Sequence, residues 1–143
     1  MLGLVASVAL LSFSIADTVL GYFQEAVAIE TRHGVLAEKG ISITVAVGPE
    51  ENPVRLAASR YLDSTGSALI VFEGVPVSVE LRDRAADLLW MDSSMAIRII
   101  DERQDAGSIL LAPDADDSQF LLLLPAGYAA RENLQPGERL TLI

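Results

Sequence analysis

Residues 19–48 read VLGYFQEAVAIETRHGVLAEKGISITVAVG, and the spacing of their apolar side chains changes at Gly40. Before Gly40, apolar residues recur every three or four positions, which is typical of one face of a helix. After Gly40, apolar and small polar residues alternate from Ile41 to Val47, which is typical of a half-buried strand. The change predicts a helix that ends near Gly40 and a β-rich region after it.

The residues before this stretch are almost entirely apolar. From Met1 to Phe23 the single charged side chain is Asp17. A helix rises about 1.5 Å per residue, so this segment would extend roughly 34 Å, which is enough to cross a bilayer. Because Met1 to Leu4 contain no Lys or Arg, the segment differs from a secretory signal peptide and is interpreted as retained.

The predicted helix therefore covers residues 1–40, apolar in its first half and amphipathic in its second. Each large apolar side chain gains about 1.5–3 kcal/mol from burial, and one small domain cannot bury so many. We expect the helix to lie in lipid or to pack against identical helices. The residues predicted to form this packing surface are Leu2, Leu4, Val5, Val8, Leu10, Leu11, Phe13, Ile15, Asp17, Val19, Leu20, Phe23 and Val27.

Residues 41–143 are predicted to form an all-β head. Short segments with strand character follow one another, separated by turns that contain Gly or Pro. Seven or eight short strands at this spacing favour an immunoglobulin-like sandwich, which makes the whole chain α+β. Residues 82–91 do not alternate and are predicted to form a short helix or a loop. Beyond 41–47, the predicted strands are 54–58, 68–72, 75–81, 95–101, 108–112, 120–124 and 139–143.

Charge and composition exclude several classes of function. The formal net charge is -10, from 20 acidic and 10 basic side chains, so a nucleic acid would be repelled. There is no cysteine, which excludes disulfides, a thiol nucleophile and a thiolate metal site. We expect neither an enzyme nor a cofactor.

Few residues are candidates for chemistry. His33 is the one histidine and lies in a polar stretch, so it is interpreted as a solvated surface residue. Asp114, Asp116 and Asp117 are weak candidates for calcium, because hard cations prefer several carboxylates close together. Their spacing is not that of an EF-hand, and a solvated acidic turn is the favoured interpretation.

The segment around residue 90 carries the remaining candidates. Asp83, Asp87 and Asp92 are spread along the possible helix and are expected on the surface. Trp90 follows two leucines and is expected to fill part of the core.

Two stretches resemble the archaellin family of archaeal filament proteins. Val19 to Gln24 is similar to the end of the family's apolar helix. The predicted strand from Ile41 to Gly48, followed by the Pro-containing segment Asn52 to Leu56, is similar to a strand and the short segment after it in the head domain of that family. The order of the later segments is also similar, namely Arg98 to Glu102, Ser108 to Leu110, Asp116 to Asp117 and Leu134 to Glu138.

The resemblance implies a structural subunit of an extracellular filament, an archaellum or a type IV-like pilus, that serves motility or adhesion. Such a subunit is inserted in the membrane before assembly, and its partners are identical or homologous subunits in a helical polymer. The alternative is a membrane-anchored extracytoplasmic β domain that binds or senses a ligand and does not polymerise.

Asp17 provides a test of polymerisation. A carboxylate among apolar neighbours costs a few kcal/mol unless it is paired, so we expect a neighbouring subunit to supply a cation. Asp17→Asn should therefore reduce the yield of filaments sheared from cells, as counted by negative-stain electron microscopy. Unchanged yield and diameter would contradict the pairing, and the absence of any fibres from the unaltered protein would contradict the filament itself.

Overall fold

The computed structural model describes residues 26–48, 54–57, 66–113 and 118–143. The described residues form two β-sheets and one short helix. The strands are β1 (Val27–Leu36), β2 (Lys39–Val47), β3 (Val54–Ala57), β4 (Ala68–Val71), β5 (Pro76–Glu80), β6 (Ala86–Met91), β7 (Ile97–Gln104), β8 (Ile109–Leu111), β9 (Phe120–Pro125) and β10 (Leu140–Leu142), and helix α1 (Tyr128–Arg131) follows β9.

The larger sheet has seven strands in the order β10-β1-β2-β4-β9-β6-β7. Neighbouring strands are antiparallel except β2 and β4, which are parallel. The sheet curls into a half-barrel. At one corner its two edge strands meet, because Ala96 pairs with Arg139 and the Leu140 N–H donates to the Met95 carbonyl at 3.0 Å.

The concave side of the curled sheet holds one hydrophobic cluster, which we call the inner core. Its members come from both edges of the sheet and from the segment after β9, so the cluster fixes the curvature. Its buried residues are Leu36, Ile43, Leu69, Leu89, Met91, Ile97, Leu122, Leu124, Ala129, Leu134 and Leu140.

The convex side is covered by the smaller sheet, whose strand order is β3-β5-β8. Between the two sheets lies the outer core, where the Trp90 ring stacks on Phe72 with centroids 6.3 Å apart. Trp90 Nε1–H donates to Asp101 Oδ2 at 3.0 Å, and the side chain is fully buried, which confirms its predicted place in the core. The other buried members of the outer core are Ala26, Ala46, Leu56, Ala68, Ile70, Val79, Leu81, Ala86, Leu88, Leu121 and Leu123.

The helix predicted up to residue 40 is wrong over residues 27–40, which form a β-hairpin. β1 pairs with β2 from Val27 opposite Val47 to Leu36 opposite Lys39. The segment predicted as a helix also contains the β-branched residues Val27, Ile29, Thr31 and Val35, and cross-strand pairing outweighs a local preference for helix. Gly34 allows the hairpin to pack, because a Cβ there would lie 3.0 Å from Leu140 Cδ1.

The immunoglobulin-like sandwich is also wrong, because one sheet curls around its own core and carries a parallel strand pair. The predicted strands nevertheless coincide in position with β2 to β5 and β7 to β10. Residues 82–91 were predicted as a helix or loop, yet they contain β6, in which all six residues are buried. Both faces of β6 are covered, so its sequence does not alternate.

The other helix predictions fall largely outside the described residues. Of the residues predicted for the packing surface, only Val27 is described, and it begins β1 with 67% of its surface exposed. Those from Leu2 to Phe23, including Asp17, lie outside the described residues. Among the residues that the structure does describe, no helix has the length and apolarity to cross a membrane.

The turn between β1 and β2 gives a stability prediction. Ala37 and Glu38 both have positive φ, 51° and 67°, which is the left-handed region that glycine adopts at no steric cost. Glu38→Gly should therefore raise the free energy of unfolding by about 1 kcal/mol, measured by urea denaturation.

Glu102→Gly is the matched control, because Glu102 is an exposed residue of β7 without positive φ. This control should lower the free energy of unfolding by about 0.5–1 kcal/mol. If Glu38→Gly also lowered it, as glycine does inside a helix, the hairpin would be contradicted.

Candidate functional site

A buried carboxylate lies at the end of the sheet where β9 ends and β6 begins. Asp87 is 0% exposed, although it was predicted to lie on the surface of a helix, and that prediction is wrong. Its Oδ1 accepts the backbone N–H groups of Arg103 at 2.7 Å and Gly127 at 3.1 Å. Its Oδ2 accepts the Ala129 N–H at 2.8 Å. These charge-assisted hydrogen bonds offset the cost of burying the carboxylate.

Asp87 fixes α1 across this end of the inner core. The N-cap of α1 is Gly127, which has φ 91° and no side chain to bond the free N–H groups of the first turn. Asp87 supplies that acceptor from another strand. Ala129 and Leu134 then enter the inner core, where they are 1% and 5% exposed.

Two arginines flank the same point above Gly127. A Cβ placed on Gly127 would lie 3.3 Å from Arg131 Nη1 and 3.7 Å from Arg103 Nε. Both side chains are exposed, and neither forms an ion pair with a carboxylate among the described residues. Arg103 has φ 52°, a strained conformation that its hydrogen bond to Asp87 holds in place. Asp87 therefore positions both arginine-bearing segments through their backbones.

The neighbouring charged groups are already paired. Lys39 Nζ lies 2.8 Å from Glu132 Oε1, and this hydrogen bond and charge raise the pKa of Lys39 above its ordinary value. The Arg131 guanidinium lies 5.8 Å from the centroid of the Tyr128 ring. Burial, together with Glu132, raises the pKa of Tyr128, so this hydroxyl stays protonated at neutral pH. We call Arg103, Gly127, Tyr128 and Arg131 the arginine site.

The arginine site is suited to binding an anion. Two guanidinium groups that approach one point can each donate to the oxygens of a carboxylate or phosphate. Gly127 is buried and has no Cβ, so the two arginine side chains can lie close over it. Among the four residues of the arginine site there is no nucleophile with an adjacent base.

The histidine candidate is not part of this site. His33 is exposed on β1, with Nδ1 3.4 Å from Ser42 Oγ. The possible calcium ligands Asp114, Asp116 and Asp117 lie outside the described residues. Within the described part of the chain, no group of three His, Cys, Asp or Glu residues could hold a metal ion.

Asp83 and Asp92 are not among the residues of the arginine site. Asp83 is exposed in the loop before β6. Asp92 begins the turn after β6, where its Oδ1 accepts the Ser94 hydroxyl at 2.7 Å and the Ala96 N–H at 3.1 Å. The hydrogen bond from the Ser94 side chain, followed by those from backbone N–H groups, lowers the pKa of Asp92. Its role is to stabilise the β6–β7 hairpin.

The residues of the arginine site are distant in the chain, so no local sequence pattern reveals the site. Arg103, Gly127 and Arg131 were not singled out, and only the turn around Gly127 was anticipated. An aspartate within the apolar run before Trp90 was the available signal, since such a carboxylate requires buried donors.

Comparisons with known proteins identify the fold. No family model matches the chain, and no curated protein sequence matches it. It is similar to the crystal structure of a "putative transcription regulator" from Sinorhizobium meliloti 1021, with 22% identity over 83% of this chain and 98% of that chain and a TM-score of 0.61. A protein of unknown function from Novosphingobium aromaticivorans is 13% identical over 80% of this chain and 85% of that chain, with a TM-score of 0.55.

These similarities show a shared fold and carry no function to this chain. The curled sheet is thus an architecture found in solved structures, and neither of these two is described as an archaellin. The resemblance to archaellins stays a prediction.

Asp87 provides a test of how the site is held. Asp87→Asn replaces one carboxylate oxygen with an N–H₂ group, which faces a backbone N–H in either orientation of the amide. We expect the free energy of unfolding to fall by about 2–3 kcal/mol in urea denaturation, because at least one buried donor loses its acceptor. Hydrogen exchange at the Ala129 or Gly127 amide should accelerate.

Asp101→Asn is the control for this change. Asp101 accepts one hydrogen bond, from Trp90 Nε1, and asparagine can still accept it. The control should cost less than about 1 kcal/mol. Equal losses for the two variants would show that Asp87 does not hold the arginine-bearing segments together.

Proposed function

We propose that the chain is a binding domain that recognises the anionic group of a ligand, a carboxylate or a phosphate, at the arginine site. The observation that carries the proposal is the approach of Arg103 and Arg131 to one point above Gly127, with no ion-pair partner for either in the described residues. The chain has a formal charge of -10, so two neighbouring arginines that lack a carboxylate partner among the described residues differ from its overall acidic character.

The geometry of the site favours a bound anion over simple charge balance. The buried carboxylate of Asp87 already accepts three backbone N–H groups, so it does not need the guanidinium groups for hydrogen bonding. Both arginine side chains are exposed, so an anion can reach their guanidinium groups from the solvent side. An anion bound on that side would accept hydrogen bonds from both guanidinium groups.

This proposal keeps the binding function of the anchored-domain alternative and makes no claim about its anchor. The filament subunit stays a prediction, because all the residues predicted to pack between subunits, except Val27, lie outside the described residues. One argument for the filament subunit no longer holds. The helix was expected to continue to residue 40, but residues 27–40 form a hairpin. The expectation that the chain is not an enzyme likewise stays a prediction.

Anion titrations test the proposal. Inorganic phosphate and citrate should each shift the backbone NMR signals of Arg103 and Gly127 and should raise the melting temperature more than sodium chloride of equal ionic strength does. Arg103→Gln and Arg131→Gln should each weaken the binding by about tenfold, because each removes a charge-assisted hydrogen bond. Comparing phosphate with citrate distinguishes the two anion classes.

Arg139→Gln is the matched control. Arg139 pairs with Ala96 and lies near Asp92, which is at the other end of β6 from Asp87, about 16 Å along the strand. This substitution makes the same change in net charge and should leave anion binding unaltered. If the arginines only balanced Asp87, Arg103→Gln and Arg131→Gln would lower stability, while neither anion would exceed the effect of chloride.

A further inference from the structure

The smaller sheet ends in an uncharged edge strand. β8 consists of Ile109, Leu110 and Leu111, and it is the last strand in the order β3-β5-β8. Ile109 and Leu111 are 57% and 74% exposed, whereas Leu110 packs against the outer core. Natural edge strands are commonly protected by charged side chains. β8 carries none, and no strand among the described residues pairs with its outer side.

The ladder between β5 and β8 determines which backbone groups face outward. Leu81 N–H donates to the Ser108 carbonyl at 2.9 Å, and Gly107 N–H donates to the Leu81 carbonyl. Both backbone groups of Leu81 therefore point toward the segment that leads into β8. Val79 pairs with Leu110 two residues further along the same ladder. In an antiparallel ladder the hydrogen-bonded pairs recur at every second residue, so the N–H and C=O of Leu110 face β5.

It follows that the N–H and C=O groups of Ile109 and Leu111 face away from β5. A second β8, related by a twofold axis at Leu110, would place Ile109 opposite the partner's Leu111 and Leu111 opposite the partner's Ile109. Both pairs would be hydrogen-bonded pairs, which gives four backbone hydrogen bonds between the chains. The exposed isoleucine and leucine side chains would then pack across the strands on one face.

We propose that two copies of this chain associate through β8. The two β8 strands pair in antiparallel orientation and join the smaller sheets of the two copies into one six-stranded sheet. The strand is self-complementary, because its outward donors, acceptors and apolar side chains meet their counterparts under the twofold rotation. The interface is isologous and closes on itself, so it makes a dimer and not a chain of subunits. It is independent of the arginine site.

Net charge modulates this association. Each copy has a formal charge of -10, so two copies repel one another over several ångströms. Salt screens that repulsion, with a Debye length of about 10 Å at 0.1 M. The dimer should therefore tighten as sodium chloride is raised, which is opposite to the behaviour of an interface held by ion pairs.

Sedimentation velocity over a range of concentrations tests the proposal. The unaltered chain should shift from monomer to dimer as its concentration rises, and Ile109→Lys or Leu111→Lys should weaken the association by about tenfold or more, because each substitution occurs twice in the interface. The folded state should be retained, since both side chains are exposed. Circular dichroism checks this.

Ile29→Lys is the matched control. Ile29 is an isoleucine of β1 with 55% of its surface exposed, close to the 57% of Ile109. The control should leave the dimer intact. Equal weakening by Ile29→Lys and Ile109→Lys would overturn the assignment to β8, as would a monomer at every concentration and salt level.

Hydrogen exchange gives an independent readout of the strand register. The Leu110 amide bonds β5 and should be protected in monomer and dimer alike. The Ile109 and Leu111 amides should exchange rapidly in the monomer and become protected as the dimer forms. A dimer in which these two amides stay unprotected would overturn the twofold pairing of β8.

Discussion

The rest of the structure depends on the burial of the central strands of the larger sheet on both faces. In β6 and β9, alternate side chains enter the inner core and the outer core, so neither strand has a solvent face. Two-sided burial requires a cover on each side of the sheet. The smaller sheet supplies one cover, and the curvature of the sheet itself, completed by α1 and Leu134, supplies the other. Removing either cover would expose the leucines on that face of β6 and β9.

Asp87 shows how this constraint shapes the candidate site. A strand that is buried on both faces has no position where a charge can reach water, so its one carboxylate requires donors from the protein. The donors are three backbone N–H groups, and they belong to the end of β7 and to the start of α1. The arrangement of Arg103 and Arg131 around Gly127 thus follows from the hydrogen bonds that the buried carboxylate of Asp87 accepts.

Local patterns predicted the strands well where one face is exposed or the run is bounded by turns. Residues 41–47 alternate as the inner and outer faces of β2 require, and the turns rich in Gly and Pro separate the later strands. The same reasoning failed for β1 and β6, for two different reasons. β1 has apolar spacing compatible with a helix, and its pairing with β2 decides the outcome. β6 has no alternation to detect, because both of its faces are covered.

By itself the sequence determined the β-rich character of residues 41–143, the positions of most strands and the burial of Trp90, because these follow from short-range periodicity and side-chain polarity. It also determined the acidic charge and the absence of thiol chemistry. Only the tertiary structure decided that β1 is a strand, that the larger sheet curls, and that residues 87, 103, 127 and 131 come together. Contacts between residues so far apart in the chain leave no local pattern, because they depend on which strands pair and on which groups remain to satisfy a buried charge.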